Sequence, residues 1–390
     1  MIKQLLCLFG SMFMLLVLLS TDQPEKNNLY YFNSLSDLKE IELNHGPGIY
    51  EGTLRLKIKA PKNARIELIT NNTFRQVGND VTISSPAVLC ISYRNNEGEK
   101  RKFVGNYIVN QSHTLPIVAL VVDTNDFFPP NGIYKGHIKK DTAGGDPLTI
   151  GRAWYKNPIT AFAQFFFNNK LKDELELDLK TYGGMTLGWK EKSLQLSARK
   201  KLHGEGKSNV KAFRQIPFRK YQHLVLRTSG NDQNKTRLKD MSISMVADDI
   251  DVNTKASRSV VLYVNGVYWG IHNLREKVNG DYFKYRYSWK KGNFQEIQGS
   301  GFQDPSFRSL IYYVRAHHSD EDFYQRVSDS IDVENFFNFN IIQTYISNVD
   351  YRGNVRFFRH KDGKWKWVLY DVDLSCEHSF LNRNFIRDRT

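Results

Sequence analysis

From Gly363 to Ser375 the chain reads GKWKWVLYDVDLS, so that Asp371 and Asp373 close a strand of aromatic and aliphatic residues. Strand alternation places Trp365, Trp367, Leu369, Asp371 and Asp373 on one face. Alternate residues of an extended strand stand roughly 6.5 to 7 Å apart, too far for both carboxylates to share one cation unless the chain bends after Tyr370. One acid is therefore read as a metal ligand and the other as its support. A buried pair of like charges raises one pKa or costs stability, and a divalent cation removes that conflict. Asp350 and Asn354 add a carboxylate and an amide at the start of the same hairpin. Phosphoryl transfer needs a carboxylate to orient or accept the proton of an attacking hydroxyl, and oxygen ligands to hold a cation on the phosphates. Asp350, Asn354 and Asp373 meet that need, while a helix-stop turn followed by strand-end aspartates explains the same spacing without chemistry.

The elements around these residues are readable from pattern. Asp362-Gly363 marks a tight turn that pairs Val355 to Arg359 with Trp365 to Tyr370. Before it, Asp332 to about Ser347 has helical spacing, with Asp332 as cap and Val333, Phe336, Phe337, Ile341 and Tyr345 on one face. Earlier still, Leu115 to Val122 forms a buried strand and Asp123 to Phe128 a turn. Strands follow at TAFAQFFF, ELELDLKTYG, KSLQLSAR, HLVLRTS and SVVLYVNGVYWGIHNLRE, the last carrying an Asn265-Gly266 hairpin turn. Strands mostly preceding helices make residues 113–390 an α+β domain. Residues 45–112 instead show short alternating runs separated by turn residues, the pattern of a small all-β sandwich with no nucleophile, metal cluster or phosphate loop. Its default role is accessory.

The chain has 390 residues, which suits two domains, and 41% hydrophobic residues, which argues for a large folded core. The 55 Lys and Arg against 41 Asp and Glu give +14 and imply an anionic partner: nucleotide phosphates, nucleic acid or an acidic surface. The densest basic stretch, Arg199 to Lys220, reads as a solvated hairpin face or a binding patch. Residues 1–20 join Lys3 to an apolar run that ends at Ser20, the layout of a secretory signal, with an uncleaved anchor as the rival reading. Residues 21–44 read as a linker. Beyond the leader only Cys90 and Cys376 remain, in different domains, which supports no disulfide framework and fits a bacterial envelope or surface protein.

The ordered stretches LPIVALVVDTNDFF, KSLQLSAR, LRTSGNDQNKTRLKD, NGVYWGIHNLRE, SNVDYRGNVRFF and WKWVLYDVDLS resemble the CotH (spore-coat-protein-H) kinase family of secreted or surface atypical protein kinases, over residues 114–380. The preceding sandwich is similar to a chitobiase/hexosaminidase carboxy-terminal-like module. The resemblance implies an atypical protein-kinase-like domain that uses ATP with Mg²⁺ or Mn²⁺. It implies Asp350 as catalytic base, Asp373 as metal ligand with Asp371 in support, Asn354 as metal-binding amide, and Trp367 stacked on the adenine. Lys192 becomes the phosphate-pairing lysine and Glu276 its partner, although a strand-edge lysine and an interstrand salt bridge explain these two as well. Arg227 and Asp232 also match a family motif, and a structural turn network explains them equally. His317 and His318 are read as a helix start capped by Ser319 in preference to a metal cluster.

These roles imply a protein substrate at the cell surface or envelope, no nucleic acid, and membrane contact only through an uncleaved leader. Two departures stand out. YGGMTLGWKEKS is shorter than the family's glycine-containing segment, and the chain stops seventeen residues after Asp373, which points to a truncated lobe. The rival functions are a non-catalytic surface adhesion or assembly protein and a metal nuclease built on the acid pair. The second is disfavoured because no His or Lys stands at nuclease spacing.

Overall fold

The computed structural model describes residues 38–128, 132–134, 157–198 and 207–377. The expected leader, most of the linker, residues 199–206 of the basic stretch and residues 378–390 lie outside the described residues.

The first eight strands are β1 (Glu42–Leu43), β2 (Gly48–Tyr50), β3 (Leu54–Lys59), β4 (Arg65–Thr70), β5 (Thr73–Gln76), β6 (Asp80–Ile83), β7 (Ala87–Arg94) and β8 (Lys100–Val109). They form one sheet in the order β1-β3-β6 and another in the order β2-β8-β7-β4-β5. β3 shows why: Leu54, Leu56 and Ile58 point inward while Arg55, Lys57 and Lys59 point out, the period of a half-buried strand. Both sheets contribute to a core that includes Leu56, Leu68, Leu89, Ile91, Phe103 and Tyr107.

The next seven strands are β9 (Ile117–Val122), β10 (Ile159–Phe167), β11 (Lys170–Tyr182), β12 (Ser193–Ala198), β13 (His223–Arg227), β14 (Ser257–Val264) and β15 (Val267–Glu276). They close into a barrel in the order β10-β11-β12-β13-β15-β14-β9. Closure comes from β14 pairing parallel to β9, with Val261 opposite Ile117 and Val264 opposite Leu120. All six residues of β9 are buried because both of its faces are covered. Val118, Leu120 and Val122 fill the barrel. Ile117 packs with Ile108, and Val121 with Val88 and Val104, of the preceding sheet. Asn106 of β8 donates both its backbone N–H and its side-chain amide to Gln164 Oε1 of β10, at 2.8 and 2.9 Å, within this contact. The described part of the basic stretch is not all solvated, since Val210, Ala212 and Phe213 enter the barrel core.

Beyond the barrel lie α1 (Lys239–Asp248), α2 (Gly280–Tyr287), β16 (Phe294–Gln298), α3 (Pro305–Ala316), α4 (Phe323–Ser330), α5 (Val333–Tyr345), β17 (Arg356–His360) and β18 (Lys366–Val368). β17 and β18 form the expected antiparallel hairpin, and β16 adds a third strand beside β17. Helix and sheet together make the mixed α+β architecture. Among the described residues no helix is long and apolar enough to cross a membrane.

Two local readings are corrected. α5 is capped by Asp332, whose carboxylate accepts from Asn335 N at 3.0 Å, but Phe337, Ile341 and Tyr345 are exposed. The inward face is instead Asn335, Phe339, Ile342 and Gln343. A buried amide at Asn335 turns the helix this way: its oxygen accepts from Trp367 N at 2.6 Å and ties α5 to β18. His317 is the C-terminal cap of α3, and its Nδ1 lies 2.8 Å from Asp320 Oδ2. The following helix starts at Phe323 after Asp322, so Ser319 is not its cap.

Candidate active site

β13 ends at Arg227, and the chain then turns through Ser229 and Gly230, both in the left-handed region at φ 72° and 52°. From the other side, β18 ends at Val368, and Asp371 takes φ 57°. Aspartate tolerates that conformation better than most residues. The strand therefore stops being extended before its acids, which is the bend a shared site requires. One guanidinium nitrogen, Arg227 Nη2, donates to both Asp371 Oδ1 and Asp373 Oδ2, the second at 2.5 Å. Asp373 also accepts from Asn231, at 3.2 Å from its backbone N–H and 3.0 Å from its side-chain amide. Burial and the neighbouring Asp371 push the Asp373 carboxyl up to about 6, against the pull of Arg227 and Asn231. A Cβ on Gly230 would stand 2.0 Å from Asp373 Oδ2, so only glycine leaves the carboxylate its place.

A second charged layer lies behind. Arg275 donates to both oxygens of Asp240, and Arg227 Nε stands 3.6 Å from Asp240 Oδ2. Burial opposes the charge on Asp240, yet Arg275, Lys255 and Arg227 hold its carboxyl well below the usual range. Burial likewise opposes the charge on Arg227, and Asp371, Asp240 and Asp373 hold it protonated. Lys255 Nζ and Arg356 Cζ each lie 3.9 Å from the centroid of the Tyr370 ring, whose hydroxyl is 3.0 Å from that of Tyr182.

Across the cleft, Asp350 sits in the loop after α5. Asn354 Nδ2 donates to Asp350 Oδ2 at 2.9 Å, and Asp350 N donates to Asn348 Oδ1 at 3.1 Å. Burial, and then Asp371, raise the Asp350 carboxyl above its ordinary value. The cleft between the walls encloses about 460 Å³, and Gly183, Gly184 and Trp189 also line it.

The structure thus brings together Asp350, Asn354, Asp371 and Asp373, four of the residues singled out in the sequence. Lys192 and Glu276 are not joined. Strand register gives the reason: Leu196 lies opposite Leu224, and Leu224 opposite Glu276, so Glu276 is level with Leu196. That is four residues, or roughly 13 Å, along the barrel from Lys192. Lys192 Nζ instead donates to the carbonyls of Leu187 and Trp189, both at 2.6 Å, and burial lowers its pKa to about 8. Glu276 accepts from Arg286 at 2.6 Å and from Ala256 N at 2.8 Å. Trp367 does share a face with Trp365 and Leu369, but that face is core. It is 5% exposed, with its ring 4.7 Å from Phe336 and 5.4 Å from Phe357 by centroids, and no nucleobase can stack there.

Arg227 and Asp232, within one short stretch of sequence, divide between the two explanations they admitted. Arg227 joins the acid pair, whereas Asp232 closes the turn by accepting from Thr236 and from Lys239 N. Asn231, Asp240, Lys255, Tyr370 and Trp189 were not singled out, because their roles arise only from contacts distant in sequence. Among the described residues no group of three or more His, Cys, Asp or Glu side chains is assembled as a metal centre. The donors that do face the cleft are carboxylate and amide oxygens, which suit Mg²⁺ or Mn²⁺ better than a softer metal.

Residues 179–380 match the CotH kinase protein family, a segment that holds both walls of the cleft. No curated protein matches the chain.

Proposed function

The chain belongs to the CotH kinase family, and on that premise we propose that it transfers the γ-phosphoryl group of ATP to a protein hydroxyl in this cleft. The observation that carries the reading is the meeting of Asp350 with the Asp371–Asp373 pair around one space. Asp350 accepts the proton of the attacking hydroxyl. Its raised pKa makes it a better base than an ordinary aspartate, and the Asn354 amide fixes one of its oxygens. Asp373 and Asp371 would hold the Mg²⁺ or Mn²⁺ that, when bound, offsets phosphate charge and orients the transferring group. Gly183 and Gly184 put backbone without side chains on the wall, where phosphate oxygens can approach closely. Trp189, in place of Trp367, offers the nucleobase an aromatic surface. The leader-like residues 1–20 support export, and with it a substrate at the cell surface or envelope.

Transfer from labelled ATP with Mg²⁺ or Mn²⁺ tests the proposal. Asp350→Asn and Asp373→Asn should each reduce incorporation by roughly 10² to 10⁴, the range of general-base and charge-stabilising groups. Incorporation equal to that of the wild type in both variants sinks the assignment.

A further inference from the structure

The acid pair already has a cation of its own. Arg227 bonds both Asp371 and Asp373 through a single nitrogen, so the positive charge that a metal held by this pair would supply is already there. Arg227 and Arg275 pair with Asp371, Asp373 and Asp240, while burial disfavours the charge on Lys255 beside them, so guanidinium charge offsets most of these acids before any ligand arrives. A lone divalent cation would have to expel the Arg227 guanidinium from both carboxylates and leave a buried charge without those partners, which a site of low polarity resists. A polyphosphate arriving with the cation brings negative charge back to the guanidinium. It also gives the displaced guanidinium, which lines the same cleft, the kind of planar multidentate partner that arginine binds best. The displacement has somewhere to begin: Arg227 Nε has no hydrogen-bond acceptor and stands 3.6 Å from Asp240 Oδ2.

We infer that Arg227 is the resident counter-cation of the Asp371–Asp373 pair, so that the site takes up a divalent cation together with a polyphosphate and only weakly without one. The inference rests on the reading of this pair as the cation site, and it adds an order of assembly to it. Coupling of this kind is reciprocal: the cation strengthens nucleotide binding by the factor by which nucleotide strengthens the cation's.

The test is thermal unfolding of the full chain with Mn²⁺ alone, with a non-hydrolysable ATP analogue alone and with both, supported by calorimetric titration of Mn²⁺ without nucleotide. In the wild type the combined shift should exceed the sum of the separate shifts. Arg227→Gln should bind Mn²⁺ alone at least tenfold more tightly than the wild type and be stabilised by it, while Arg227→Lys, which keeps the charge, should stay with the wild type. A wild type stabilised as much by Mn²⁺ alone as by both ligands overturns the inference, and this arm decides even if Arg227→Gln does not fold. Gln and wild-type proteins with equal affinity for Mn²⁺ alone also overturn it, while leaving the cation site standing. No response of either protein to any combination removes the cation site itself, and the inference with it.

Discussion

Gly230 lies against Asp373 so closely that a single added methyl group would stand 2.0 Å from the carboxylate oxygen. A turn after β13 thereby sets where an acid after β18 can sit. Gly230→Ala should cost about 1 to 2 kcal/mol from its left-handed backbone alone. The displaced Asp373 should also lose contact with Asn231, and phosphate transfer should fall with it. Denaturant unfolding and labelled-ATP incorporation check the two effects, and an alanine variant with wild-type incorporation contradicts the geometry.

The two tryptophans should separate cleanly. Trp367→Ala empties a place among Phe336, Phe357 and Phe307, and should destabilise the fold by about 3 to 5 kcal/mol. Trp189→Ala should leave the melting temperature nearly unchanged while weakening ATP binding. Chemical denaturation and nucleotide titration of the two variants decide the matter. The reverse pattern would put the nucleobase at Trp367.

Lys192 and Glu276 should behave as strangers. In a double-mutant cycle of Lys192→Met and Glu276→Gln, the coupling in stability should be below about 0.5 kcal/mol. Glu276→Gln alone should cost about 3 kcal/mol, because it leaves the Arg286 guanidinium without its carboxylate. A coupling above 1 kcal/mol, taken here as about twice the additivity limit, would mean that the pair meets after all.

The barrel also carries a pH signature independent of the cleft. Burial lowers His272 from 6.5 to about 4, with Glu191 opposing that shift. The unfolded chain therefore takes up this proton first as pH falls. Stability from neutral His272 is complete above about pH 6.5 and is lost as pH drops toward 4, up to about 3 kcal/mol in all. His272→Gln should flatten that part of the curve in urea unfolding between pH 7 and 4. Parallel curves for variant and wild type would mean that the imidazole is not held neutral.

Local signals carried much of the fold. Asn265-Gly266, both at positive φ, turns β14 into β15, and Asp332 caps α5 where pattern placed it. The same kind of signal placed Trp365, Trp367 and Leu369 on one face, but alternation cannot say whether a face meets core or cleft. The left-handed residue at Asp371 then breaks the alternation just where the chemistry begins. Closure of the barrel through the β9–β14 pairing was not legible, because parallel partners far apart in sequence leave no turn between them to read. For the same reason the acids were legible and their guanidinium partner was only half so. Asp350, Asp371 and Asp373 sit in one hairpin region, whereas Arg227 reaches Asp371 across 144 residues.

The shared wall between the first sheets and the barrel bears on what can be cut from this protein and still fold. Homology to the family begins at residue 179, inside β11, whose hydrogen-bonded partner β10 is left outside. A fragment begun there would lack β9 and β10 and could not close the barrel. One begun after β8 would keep every barrel strand but bare Val121, Phe162 and Phe166 to water and leave Gln164 Oε1 without the donors of Asn106. The segment that inheritance marks out is thus smaller than the segment that folds, and recombinant pieces for biochemistry should start before β1.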